Sequence, residues 1–177
     1  MYTRKQFRVV CSEYLERLQY AIHLCDMQRS YAGSGEFEPE VSGKGTDSDF
    51  MSAASKAIIN QAMLTTANFY IFGQSNEFTL YKLMKIIGSD SYIRRGIRGS
   101  LLDEVAVSFN DYVKEHSEVL ERLIEWRNRY IGHNDKKYFT NGKLKEIHIT
   151  VGEMTELLSF GVKILRNIAS IMEYEIT

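Results

Sequence analysis

The feature that most restricts this chain is a run of nine residues, Leu102, Val105, Phe109, Tyr112, His116, Val119, Leu123, Trp126 and Tyr130, in which every step is three or four positions. Only an α-helix returns side chains to one face at that interval, so the spacing predicts a helical seam about 30 residues long. A seam of that length is the backbone of a helical bundle or of a dimer interface. His116 lies on it, and an imidazole there reads as a hydrogen-bonded core or interface residue rather than a catalyst.

The rest of the chain repeats the pattern. Phe7, Cys11, Tyr14, Leu18, Ile22 and Cys25 trace one face of a first helix that starts at the capping box of Thr3 and Gln6 and ends near Tyr31. Residues 33–46 carry four glycines and the only proline, Pro39, and read as a flexible loop. A second helix is expected from Ser48 to Phe72, rich in alanines (53, 54, 57, 62 and 67) that permit close approach. A third runs from Thr79 as N-cap through Ile87, with Gly88 as a left-handed C-cap. Ser100 and Asp103 look like the capping box of the long seam helix, and Gly132 should end or bend it. Asn141-Gly142 allows a small β-hairpin between the last two helices. Thr150 and Glu153 then cap a final helix carrying Met154, Leu157, Leu158, Gly161, Ile164, Leu165, Ile168 and Met172 on one face. The expectation is an all-α bundle of four or five helices forming one domain over residues 1–177.

Composition removes several classes of function. With 44% hydrophobic and 25% charged residues the chain is neither disordered nor membrane-embedded, and no apolar run approaches the ~18 residues a span needs. The start, MYTRKQFRVV, lacks the apolar core of an export signal, so the expected location is the cytoplasm. Cys11 and Cys25 sit on one predicted helix ~21 Å apart, which excludes a disulfide between them. Gly43-Lys44-Gly45-Thr46 lacks the lead glycine and the preceding strand of a nucleotide-binding loop. The histidines at 23, 116, 133 and 148 have no ligand-like spacing with each other or with the cysteines, so neither a metal nor a cofactor is expected. A net charge of −1 requires any polyanion to find a local basic patch. Arg94, Arg95 and Arg98 form one candidate, and Lys136 with Lys137 a second.

One stretch reads as chemistry: Glu125-Trp126-Arg127-Asn128-Arg129-Tyr130-Ile131-Gly132-His133-Asn134-Asp135. An imidazole takes and gives protons near neutrality, and a guanidinium supplies a permanent charge for phosphate oxygens. Together they can cleave RNA without a metal, by proton transfer at the ribose 2′-hydroxyl or the leaving oxygen and by charge stabilisation at phosphorus. On an unbroken helix Arg127 and His133 stand about 120° apart, so a bend near Gly132 or a second subunit must bring them together. The competing reading is structural: Arg, Asn and His at a helix C-terminus complement the macrodipole without catalysis.

The string Arg127-Asn128-x4-His133 at the end of a long helix, followed by a Thr-x-x-Glu-capped helix, resembles the Arg-Asn-x4-His signature of HEPN domains, and the layout is similar to HEPN-like proteins of bacterial abortive-infection systems. That resemblance implies a dimer with two motifs in one cleft, Arg127 and His133 as the catalytic pair, Asn128 as the polar residue positioning them, and RNA as substrate. Arg94, Arg95, Arg98, Arg129, Lys136 and Lys137 are then candidates to hold the RNA backbone. An antitoxin or regulatory protein is the further partner implied. HEPN toxins silenced by a nucleotidyltransferase carry a tyrosine two residues after the histidine, whereas Asp135 stands here, so control by that route lacks support. Many HEPN domains are binding modules without activity, so a non-catalytic dimerisation or interaction module is the alternative.

Overall fold

The computed structural model describes residues 3–33, 46–71, 79–89, 91–95, 97–131 and 147–174. These form helices α1 (Arg4–Gly33), α2 (Thr46–Tyr70), α3 (Leu80–Ser89), the single turn α4 (Ser91–Arg94), α5 (Gly99–Glu115), α6 (Ser117–Ile131) and α7 (Val151–Tyr174), with no strand among the described residues. The all-α expectation stands. Among the described residues, and apart from the single turn, the helices number six rather than four or five, because the long seam divides. The expected loop over 33–46, apart from its end residues, and the Asn141-Gly142 hairpin fall outside the described residues.

Local sequence explains where most helices start. At α1 the Gln6 backbone N–H donates to Thr3 Oγ1 at 3.2 Å, while Gln6 Oε1 accepts from the Thr3 N–H at 3.0 Å. At α7 the Glu153 N–H donates to Thr150 Oγ1 at 3.1 Å and Glu153 Oε2 accepts from the Thr150 N–H at 2.7 Å. These bonds, with the Arg122 guanidinium 2.6 Å away, hold the Glu153 carboxyl below its ordinary range. Thr79 caps α3 by accepting from the Lys82 N–H at 3.3 Å. Gly88, expected as a left-handed cap, instead lies within α3 and its backbone is not left-handed.

Two expectations on the seam are corrected. Ser100 and Asp103 make no capping box: α5 starts at Gly99 behind Arg98, which offers no side-chain cap, and Asp103 binds Arg94. The seam also breaks at His116, whose φ of −101° and ψ of 19° leave helical geometry. Its Nδ1 lies 3.0 Å from the Tyr112 carbonyl, the same oxygen that accepts the His116 backbone N–H, while Nε2 reaches Glu156 of α7 at 3.2 Å. The Tyr112 ring is sandwiched between His116 and Phe160, with centroids 3.9 and 3.6 Å away. The break lets α5 pack on α3 and α7 while α6 turns to α2.

α1 is the centre of the bundle, with α2 and α7 both antiparallel to it. Gln28 meets Ser55 and Tyr14 meets Phe69 on one side. On the other, Arg8 donates to the Met172 carbonyl at 2.9 Å and Arg29 to Thr155 at 3.0 Å. One core cluster joins all these elements through residues such as Phe7, Leu18, Ala67, Phe109, Leu123 and Leu165. Of the α2 alanines, Ala62 and Ala67 are buried while Ala53 and Ala57 remain exposed. Gly161 marks a close approach of α7 to α1: a Cβ there would lie 3.0 Å from Leu18 Cδ1. Both cysteines are buried and free, and burial pushes the Cys11 thiol up to about 12, as befits a small apolar residue. The fully buried Tyr70 satisfies its hydroxyl by donating to the Leu157 carbonyl at 2.7 Å, which ties α2 to α7.

Candidate functional site

Helical periodicity fixes where the motif residues of α6 point. Leu120 and Leu123 bury against the core, and Arg127 follows them at i+7 and i+4, so it falls on the same inward stripe. It is half-buried there, and its Nε donates to Asn68 Oδ1 on α2 at 3.0 Å. A bond to Nε fixes the plane of a guanidinium, which is what bidentate contact with two phosphate oxygens requires. Asn128 lies one position round the helix and is exposed. Arg129, two positions further on, is partly buried and pairs with Glu125 one turn earlier. His133, Asp135, Lys136 and Lys137 lie outside the described residues.

The arginines before α5 divide by role. Arg94 Nη1 donates to Asp103 Oδ1 at 2.8 Å and to the Ile87 carbonyl at 3.1 Å, while Nη2 donates to Asp103 Oδ2 at 3.0 Å and to the Gly99 carbonyl at 3.1 Å. It therefore clamps the end of α3 to the start of α5, and its hydrogen bonds hold the Asp103 carboxyl below its ordinary value. A Cβ at Gly99 would stand 2.7 Å from Arg94 Nη2, so a side chain there would displace the guanidinium from its present position. Arg95 and Arg98 are exposed. The bonds of Arg94 run to α3 and α5 and that of Arg127 to α2, so these two candidates belong to different corners of the fold.

Asn68 leads from Arg127 into a cleft of about 770 Å³ between α1 and α2. Tyr14, Arg17 and Tyr20 line it from α1, and Gln61, Thr65 and Asn68 from α2, above the buried ring of Phe69. Neither the cleft nor Asn68 was anticipated from the sequence. A signal was present: Gln61, Thr65 and Asn68 recur at i, i+4 and i+7, a polar row inside a helix whose neighbouring positions Ala62, Met63 and Ala67 are buried. Among the described residues no group of three or more His, Cys, Asp or Glu side chains is arranged to hold a metal ion. No described helix is long and apolar enough to cross a membrane.

The family model described as AbiU2, of HEPN type, matches residues 13–175, from the third turn of α1 through the end of α7. No curated protein and no solved structure matches the chain.

Proposed function

The chain belongs to the AbiU2 family of HEPN-type abortive-infection proteins, and from that premise we propose that it is a metal-independent endoribonuclease acting as a homodimer, with Arg127, Asn128 and His133 of both copies at the subunit interface. The observation that carries this reading is Arg127 itself. An arginine on the buried stripe of a helix would ordinarily be replaced by an apolar residue, and here its guanidinium is instead oriented by a neutral carboxamide beside an open cleft.

In the reaction, the His133 imidazole of one copy removes the proton from a ribose 2′-hydroxyl, and that oxygen attacks the adjacent phosphorus. The bond to the 5′-oxygen breaks, and the imidazole of the second copy returns a proton to the leaving oxygen, so the products are a 2′,3′-cyclic phosphate and a 5′-hydroxyl. Arg127 stabilises the charge that builds on the phosphoryl oxygens, and Asn128 orients the reacting groups. Arg95, Arg98, Lys136 and Lys137 hold the flanking backbone, with Arg129 through whatever charge its pairing with Glu125 leaves available. Affinity then falls steeply as salt rises. Arg94 serves this surface by shaping the loop that presents Arg95 and Arg98. An antitoxin or other regulatory protein is the remaining partner.

The test is cleavage of single-stranded RNA in excess EDTA by wild type, Arg127→Ala and His133→Ala. The expected result is cyclic-phosphate ends from the wild type and a loss of at least about 100-fold in each variant. Equal cleavage by all three would assign the signal to a contaminant and leave the chain as a non-catalytic interaction module.

A further inference from the structure

We propose that the cleft between α1 and α2 takes one unstacked nucleobase of a single-stranded RNA, seated beside the phosphate that Arg127 meets. The inference deepens the nuclease reading and rests on it for the identity of the ligand.

Its first support is size and shape. About 770 Å³ lies within the range of pockets that hold small organic ligands. Its second is what lines it. α1 contributes Tyr14, Arg17 and Tyr20 at intervals of three, each about 60° round the helix from the last, so the guanidinium stands between two phenol rings that fan out along the wall of the cleft. The Arg17 guanidinium carbon lies 5.9 Å from the centre of the Tyr14 ring, and the Tyr14 ring meets Phe69 edge-on at 4.9 Å, which holds that ring in place. Tyr20 is 57% exposed, a large ring left in contact with water at the edge of the cleft. Aromatic faces and arginine planes are the surfaces on which splayed-out bases stack.

The opposite wall is polar in a complementary way. Gln61, Thr65 and Asn68 present two carboxamides and a hydroxyl, each able to donate and accept, as the hydrogen-bonding edge of a base requires. Glu16 and Arg17 place one charge of each sign at the cleft, so these two charges offset, and stacking with hydrogen bonding supplies the attraction. Continuity with the candidate catalytic group is direct: Asn68 lines the cleft and accepts from Arg127 Nε at 3.0 Å. A base in a stacked duplex cannot enter, so the cleft also favours single-stranded RNA over double-stranded.

The test uses the full wild-type chain and a mixed-sequence 2′-O-methyl RNA heptamer, which lacks the attacking hydroxyl and stays intact. Titration followed by NMR should shift the Gln61 side-chain amide and the Tyr20 ring. Tyr20→Ala should weaken heptamer binding about 10-fold with little change in melting temperature, and Tyr20→Phe should bind as wild type. A heptamer of abasic residues should bind the wild type as weakly as the intact heptamer binds Tyr20→Ala. Unchanged binding by both Tyr20→Ala and Gln61→Ala would overturn the proposal, and a nucleoside 5′-monophosphate binding as tightly as the heptamer would reassign the cleft to a free nucleotide. Heptamer binding in the cleft with no cleavage of unmodified RNA removes the nuclease reading alone. Cleavage with no shift in the cleft removes this proposal alone.

Discussion

Two arginines illustrate how little residue type says about role. Arg94 and Arg127 both stand in segments that read as polyanion-binding, yet Arg94 is engaged by a carboxylate and backbone carbonyls, and Arg127 donates from its Nε to the Asn68 carboxamide. The bond to Asn68 matters because a guanidinium held through Nε keeps a defined plane. Asn68 is accordingly a positioning residue for the proposed reaction. Asn68→Ala is expected to lower kcat about 10-fold through loss of that orientation, with KM changed much less and melting shifted by only a few degrees. Asn68→Asp keeps an acceptor at the same point but matches the guanidinium with a carboxylate, which leaves it less to give a phosphate, so melting should stay near wild type while kcat stays low. Steady-state kinetics on a defined RNA decide it, and parallel losses in melting temperature and in both kinetic constants would mark Asn68 as merely structural.

At the scale of elements, the bundle depends on where helices approach and where one helix stops. α7 presents Gly161 to the fully buried Leu18 of α1, where the absence of a side chain leaves room for the leucine. Gly161→Leu should cost about 1–3 kcal/mol by forcing buried neighbours off their rotamers. Gly161→Ala should come out near neutral, because about 1 kcal/mol of helix propensity offsets a small displacement of Leu18. Urea unfolding midpoints measure both, and a leucine variant as stable as wild type would show that the contact is not tight. The break at His116 is the second such point. A continuous α5–α6 rod would carry Arg127 along the α5 axis, whereas the break frees α6 to lie on α2, which is how Arg127 reaches Asn68.

For the whole molecule, the proposed chemistry requires two copies, since two imidazoles and two guanidinia must share one phosphodiester. Subunit exchange tests this without any structure of the dimer. His133→Ala is expected to be inactive, and mixing it in equal amount with wild type should roughly halve the cleavage that the same wild type gives alone, because only about a quarter of random dimers keep both imidazoles. Undiminished cleavage after demonstrated exchange would show that the imidazole of one copy suffices. Much of this architecture was legible in the chain. The starts of α1 and α7 follow from Thr3 with Gln6 and Thr150 with Glu153, and the buried faces follow from steps of three and four. Those relations span a single helical turn, and the geometry of one turn is the same in every helix. The pairing of Arg94 with Asp103 was not legible, although it took Asp103 from its expected cap. Nor were the break at His116, set by Glu156 and Phe160 of another helix, and the bond between Asn68 and Arg127. Each of these depends on the rotation and register of one helix against another, which no interval along the chain encodes. Sequence alone thus determined which surfaces had to be buried and where the motif lies. Packing decided that Arg127 would stand over α2 beside an open cleft, because only the assembled bundle places residues 59 positions apart within hydrogen-bonding distance.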